Sequence, residues 1–346
     1  MLGLKVTIRY AQQVKQYLVE HNLFDKQYAI VREAQEIVFP VTREFTPPFD
    51  FDVEFTQMEG NERQQTQSLR EALSKILTPE EQQDLVTAYD IVGSIAIIEI
   101  SDSIILKQSL IGQKILEINK TVKTVLKKIG GHGGIYRVQR MGHIAGEDTR
   151  ETIVTENGVK LKVNVETAYY SIRMATERKR ILEQIKPGEK ILCLFSGIGP
   201  YPVVFSVHSG ASQIVGIEIN PAAHELAIEN LGKNRCTNVR LFCGDANDIL
   251  EKLASSEELF DRVTMPLPHT AKDFLDATLR VCKSGTIIHY YAFLPEGAFN
   301  GAIPQLRAAF ESHNFTFGKY DVIRVGQHAP RVWRICVDAE VKKSNT

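Results

Sequence analysis

ILCLFSGIGPYPVVFSVHSGASQIVGIEINPAAHELAIENLGKNRCTNVRLFCGD, residues Ile191 to Asp245, decides how this chain folds. An apolar run, Ile191–Phe195, stops at the turn Gly197-Ile198-Gly199. A second run, Gln213–Ile217, ends at Glu218, and a third, Val239–Cys243, ends at Gly244-Asp245. Helical lengths separate the three. Apolar strands that each finish in a turn or an acid predict an α/β unit with a doubly wound parallel sheet. In such a sheet, adjacent strand ends hold an adenosine-bearing cofactor.

The cofactor class follows from what the turn contains. Gly197 and Gly199 let the chain turn tightly and let backbone amides approach a ligand. The third glycine of the dinucleotide fingerprint is missing, and Pro202 stands in its place. A pyrophosphate cradle, and with it a nicotinamide oxidoreductase, is disfavoured. A cofactor without phosphates fits, and S-adenosylmethionine is the common one. Glu218 lies 19 residues after Gly199, where its carboxylate would accept both ribose hydroxyls. Asp245 would accept from the adenine amino group, with Ala246 flat against the ring. Phe195 would wall the methionine arm, and Ile198, Gly199, Pro200 and Ile219 complete the expected cofactor set. Taken singly, each feature has a plainer explanation. Asn220-Pro221 and Asp245 are good helix caps, and a Gly-x-Gly is often only a strand–helix turn. Their succession at three strand ends is what points to a methyltransferase-type site.

The rest of the chain sets the frame. It has 346 residues, 43% of them hydrophobic and 24% charged, with a net charge of −1. That length predicts two or three domains, and that charge excludes a globally basic nucleic-acid coat protein. The five cysteines form no C-x-x-C. Cys193 and Cys243 fall inside predicted strands, as buried free thiols of a reducing compartment. No apolar stretch has membrane-spanning length and no signal peptide is seen, so a cytoplasmic protein is expected.

Residues 1–88 read as a small α/β domain, with strands at Leu4–Ile8, Tyr28–Val31 and Glu36–Phe39 and a helix at Ala11–His21. Leu77-Thr78-Pro79-Glu80 is a helix start. Residues 89–186 read as an α+β domain. Ile91–Ile100 is expected as a strand pair or one bent strand. Lys107–Lys128 is expected as a helix whose exposed face carries Lys114, Lys120, Lys123, Lys127 and Lys128, with Gly130–Gly134 breaking the chain after it. Strands follow at Ile135–His143, Glu151–Thr155 and Val159–Val165, then a helix at Arg173–Gln184. Residues 187–346 form the cofactor domain, whose last strands, Phe315–Val325 and Val332–Val337, are expected as an antiparallel hairpin on the sheet edge.

Several segments together resemble the archaeal and eukaryotic tRNA (guanine-37-N1) methyltransferases: YDIVGSIAIIEI, GGIYRVQRMGHIAGEDTRETIVTENG, YYSIRMATERKRI, LFSGIGPYPV, IEINPAAHELAIENLGKN, DRVTMPLPHTAKDFLDATL and GTIIHYYAF. The resemblance covers at least residues 88 to 338, with a less specific likeness of the N-terminal unit to a small tRNA-elbow-binding domain. It implies a three-domain, S-adenosylmethionine-dependent methyltransferase acting on the purine 3′ of the anticodon. It also implies roles. Glu177 would be the general base for guanine N1, a poor nucleophile until its proton leaves. One of Arg137 or Arg140 would steady charge on the base oxygen. Tyr169, Arg178, Pro268 and His269 would meet the substrate, and Arg173 would reach the cofactor. No metal is implied, and a monomer is expected.

At Met265-Pro266-Leu267-Pro268 this chain departs from the family, whose guanine methylators usually carry Asn-Leu-Pro. Pro266 has neither side-chain donor nor acceptor, so one contact to guanine's edge is gone. Pro266 is nonetheless expected beside both cofactor and base. The change resembles the archaeal branch that also methylates 4-demethylwyosine at C7. For tRNA phosphates, the lysine face at 114–128 and Arg137, Arg140, Arg150, Arg173 and Arg178–Arg180 are candidates. The hairpin linker Gln327-His328-Ala329-Pro330-Arg331 would approach the anticodon loop. Two rival readings share these features: transfer of the aminocarboxypropyl group from the same cofactor, and a non-catalytic tRNA-binding protein.

Overall fold

The computed structural model describes residues 1–60 and 67–344. They form two compact units, Met1–Glu71 and Ala72–Thr346. The division falls at residue 71 rather than 88, and the segments read as a middle and a C-terminal domain form one compact unit.

In the first unit β1 (Leu2–Thr7), β2 (Val31–Arg32), β3 (Glu36–Pro40) and β4 (Val53–Gln57) make an antiparallel sheet ordered β2-β3-β1-β4. The helix Ala11–Glu20 buries Val14 and Leu18 in a core with Leu4, Val6, Ile37 and Phe39. β2 is only two residues, shorter than the strand expected at Tyr28–Val31.

The second unit opens with the helix Pro79–Gln83. Thr78 and Glu81 form a reciprocal capping box at its start. β5 (Tyr89–Val92), β6 (Ile95–Ile98), β7 (Thr124–Gly133) and β8 (Val138–Gly146) make a mixed sheet in that order. β5 and β6 are a hairpin that turns at Gly93, where φ is +56°. β6 and β7 are parallel, joined by the crossover helix Gln108–Ile118. The long lysine-faced helix expected over 107–128 therefore does not exist. The helix stops at Asn119, and Thr121-Val122-Lys123-Thr124-Val125 is rich in β-branched residues that suit the strand pairing with β6. Lys127 and Lys128 sit on β7, with Lys128 paired to Glu99. The glycines at 130 and 133 continue that strand instead of breaking the chain.

β9 (Glu151–Glu156) and β10 (Val159–Asn164) form a hairpin across Asn157-Gly158, both with positive φ, as a two-residue primed turn requires. The cofactor sheet has seven strands: β11 (Lys190–Leu194), β12 (Gln213–Glu218), β13 (Val239–Cys243), β14 (Phe260–Met265), β15 (Cys282–Pro295), β16 (Phe315–Ala329) and β17 (Val332–Lys343). Their order is β13-β12-β11-β14-β15-β17-β16, the first five parallel and the last two antiparallel. This is the expected doubly wound sheet with its edge hairpin, and the order reverses between β11 and β14. Alternate residues of β11 enter two cores. Ile191 and Cys193 face one, Leu192 and Leu194 the other, which is why the strand reads as an unbroken apolar run. Because β13 is an edge strand, Cys243 is exposed and not buried as expected. No helix among the described residues is long and apolar enough to cross a membrane.

Candidate active site

The carboxyl ends of β13, β12, β11 and β14 bring the predicted cofactor residues into one row. Glu218 ends β12, and its carboxylate accepts the amides of Gly197 at 2.7 Å and Asn220 at 2.8 Å. Burial pushes its pKa up, against the pull of those backbone amides. Each oxygen keeps a lone pair, so a ribose diol finds two acceptors. Gly197 and Gly199 both have positive φ, at +55° and +82°. A Cβ on Gly199 would press within 3.2 Å of Ala227. A Cβ on Gly197 would meet only the Tyr169 carbonyl, at 3.5 Å, which leaves open space over the turn. The turn is pinned from behind by buried Asn230, which donates to the carbonyls of Ile198 and Lys162 at 3.0 Å. Ile198 and Pro200 are buried, Phe195 sits at φ +55° edge-on to Phe274, and Ala246 is buried under Asp245. Asp245 also caps its helix through Asn247, so the capping explanation holds alongside the ligand one. The donor set fits S-adenosylmethionine: two acidic strand ends and a glycine turn with space above it.

Beside this row lies a cavity of about 430 Å³. Its walls come from β5–β8 (Asp90, Arg137, Gln139), from the linker Tyr169–Arg173, and from the β16–β17 hairpin (His328, Arg334). Of the two arginine candidates, Arg137 is on this wall and half-buried, while Arg140 is exposed and outside it. Arg137 makes no ion pair with any described residue, and its charge helps burial hold the His269 pKa down. Tyr169 lines the cavity and its carbonyl lies over Gly197, so cavity and cofactor turn adjoin. Arg173 is also on the cavity wall, clamped on Asp90 at 2.7 and 3.1 Å, and is not among the strand ends. Pro266, Pro268 and His269 follow β14 directly, with His269 exposed and Pro266 half-buried.

Arg178, expected to meet the substrate, lies off the cavity wall. It is buried, doubly bonded to the Glu156 carboxylate, donating to the Ser171 carbonyl at 3.0 Å and packed on Tyr170 and Tyr201. The run Glu177-Arg178-Lys179-Arg180 reads as one charged face, but the helix Ala175–Leu182 buries Glu177 and Arg178 with Ile181. Glu177 is likewise buried and away from the cavity wall. Its carboxylate accepts from the Tyr291 hydroxyl at 2.6 Å and from Arg180 at 2.7 and 2.8 Å.

Glu177 opens a buried polar network that sequence reading missed. Arg180 reaches on to Asp338 at 2.5 Å, Asp338 accepts from His289 Nδ1 at 2.6 Å, and His289 Nε2 faces Arg262 at 2.8 Å. Arg262 in turn is held by Glu189. Because a guanidinium only donates, Nε2 must accept and Nδ1 must carry the proton, which makes His289 neutral. Burial and the two arginines push its pKa down. Asp338 is desolvated, yet His289 and Arg180 hold its carboxyl well below the usual range. His289, Cys336 and Asp338 lie within 4.8 Å of one another, as metal ligands would. Arg180 and Arg262 already supply the positive charge there, so the cluster reads as an ion-pair network. Strand register alone, which sets His289 opposite Asp338, creates it.

Known proteins resemble this chain along nearly its whole length. The model of the TRM5/TYW2 methyltransferase domain matches residues 152–317. The TYW2 N-terminal domain matches 69–149, and the tRNA methyltransferase 5 N-terminal domain matches 3–49. The tRNA (guanine(37)-N(1))-methyltransferase Trm5b of Pyrococcus abyssi is 35% identical over 98% of this chain and 99% of its own. The tRNA 4-demethylwyosine(37)-methyltransferase Taw21 of Saccharolobus solfataricus is 30% identical over 61% of this chain and 80% of its own. Among solved structures, wild-type Trm5b from Pyrococcus abyssi superposes with a TM-score of 0.73 at 33% identity, covering 99% of both chains. The complex of aTrm5 and tRNALeu gives 0.68 at 26% identity, over 99% of this chain and 100% of that one. A glycine turn and two acidic strand ends beside an arginine-walled cavity, on a chain matched over nearly its whole length, place this protein in the TRM5/TYW2 family of S-adenosylmethionine-dependent tRNA methyltransferases.

Proposed function

We propose that this enzyme methylates the purine at position 37 of tRNA, at guanosine N1 and at C7 of 4-demethylwyosine. One observation carries the reading. The cofactor row and the cavity meet at Gly197 and Tyr169, so a base seated in the cavity borders the cofactor's place. When bound, S-adenosylmethionine supplies an activated methyl group. Glu218, Asp245 and the turn Ile198–Pro200 would hold it, with Phe195, Ile219 and Ala246 around it.

The protein's own residues then align and deprotonate the acceptor. Arg137 faces the base oxygen, where negative charge grows as the N1 proton leaves. Glu177 takes that proton. Arg180 donates to both of its oxygens, and Oε2 has this one donor, leaving a lone pair. In this structure Glu177 is buried beneath its bonds to Tyr291 and Arg180 and off the cavity wall, so the base has to come within its hydrogen-bond reach as the nucleotide enters.

Pro266 supports the tricyclic acceptor. Its side chain offers a base edge no hydrogen bond, so shape and stacking must do more of the selecting. The test is mass spectrometry of tRNA after incubation with S-adenosylmethionine, using one acceptor with guanosine and one with 4-demethylwyosine at position 37. Both products are expected. Methylation of guanosine alone overturns the tricyclic assignment. Label arriving from the aminocarboxypropyl carbons of the cofactor overturns methyl transfer.

A further inference from the structure

The sheet edge does not end at the cofactor row. It continues through β14, β15, β17 and β16, and there it gathers three rings and a guanidinium. Phe293 of β15 and His328 of β16 lie face to face, centroids 3.7 Å apart and planes 19° from parallel. His269, from the loop after β14, meets Phe293 at 4.7 Å and 64°. Arg334 of β17 pairs across the strands with Phe293 and sets its guanidinium carbon 5.5 Å from that ring. His328 and Arg334 line the cavity.

This cluster is built unlike a fold-stabilising one. Phe293 is half-buried, but the His328 ring stacked on it is exposed, as is His269. Among the described residues Arg334 has no carboxylate partner and its buried Nε no hydrogen-bond partner; its Nη1 donates only to the Met174 sulfur, at 2.9 Å. An exposed flat ring, backed by a cation without a carboxylate partner on a cavity wall, is what binds an unpaired nucleotide. The ring takes the base and the cation takes the phosphate. Burial and the nearby guanidiniums lower the pKa of both imidazoles, which favours uncharged rings.

We propose that the Phe293–His328 stack receives the nucleobase next to the acceptor in the same tRNA loop, on the outer face of His328. Arg334 takes the phosphate between the two nucleotides. The inference rests on the tRNA reading above. It adds a subsite that fixes the acceptor by holding its neighbour, at the point where Pro266 has removed a direct contact.

The test uses the full-length protein and an anticodon stem-loop RNA carrying 2-aminopurine at position 36 or 38. Stacking quenches this fluorophore. Quenching at one of the two positions is expected on binding the wild-type protein. His328→Ala should abolish it and weaken RNA binding about tenfold, the effect of one lost stack. His328→Phe should restore both. S-adenosylmethionine affinity, measured by calorimetry, should not change in either variant. Equal quenching and affinity in wild type and His328→Ala overturns the subsite, as does a His328→Phe variant no better than His328→Ala. Methyl transfer to intact tRNA is followed separately. A wild-type protein that transfers methyl without quenching 2-aminopurine refutes the subsite alone, and one that transfers none refutes the function beneath it.

Discussion

Glu218 Oε2 accepts the Gly197 amide at 2.7 Å, so the acid ending one parallel strand holds the glycine turn that follows its neighbour. The same carboxylate is the expected ribose acceptor. Cofactor binding and the shape of the turn would then depend on one group.

Glu218→Gln tests this coupling. The amide keeps one acceptor but turns an NH₂ toward a backbone N–H, leaving buried donors facing each other. A loss of about 1–3 kcal/mol is expected, roughly 5- to 150-fold in S-adenosylmethionine affinity. Calorimetry reads it directly, and unchanged affinity would move the ribose site elsewhere.

Glu177→Gln preserves the volume and one acceptor for Tyr291 while removing the base. Turnover on guanosine should fall by about 10²–10⁴, the usual worth of a positioned general base. Cofactor affinity should stay within a factor of two or so. Undiminished turnover would show that Glu177 serves only the buried network.

Arg178→Ala is expected to act on stability and not on RNA binding. It strands the buried Glu156 carboxylate, which costs about 3–5 kcal/mol. Chemical denaturation measures the loss. A stable variant with weak tRNA binding would return Arg178 to the substrate surface.

Pro266→Asn restores the amide that the family's guanine methylators carry. The ratio of guanosine to 4-demethylwyosine methylation should rise about tenfold, as one base-edge hydrogen bond is regained. Competition between the two acceptor tRNAs gives the ratio.

His289 ties stability to pH. Its folded pKa lies below the unfolded value of about 6.5, so below that pH the unfolded chain binds the extra proton. Its contribution is complete above about pH 6.5 and fades as pH falls, by up to about 1.4 kcal/mol per pH unit. His289→Gln should flatten the decline in melting temperature between about pH 7 and 5.5. An equally steep decline in the variant would place the titration in other groups.

What local chemistry dictates was legible in the chain itself. Apolar strands covered on both faces, the glycine turn, the Asn157-Gly158 hairpin and the Thr78–Glu81 cap each follow from a few adjacent residues. So does the row of Glu218 and Asp245, because a parallel sheet puts strand ends side by side. The lysine helix failed because Val122 and Leu126 fit a helical spacing by coincidence, and pairing with β6 outweighed it. The charged run 177–180 misled because burial depends on what packs from far away. Glu156, Tyr291 and Asp338 supply the partners that bury Glu177, Arg178 and Arg180. The stack of Phe293, His328 and His269 is likewise set by strand order. Rings from three separate segments meet only once β17 lies between β15 and β16. The sequence by itself determined the expected cofactor half of the site, whose residues are local to strand ends. Only the tertiary structure decided the proposed acceptor half, because its walls are assembled from elements distant along the chain.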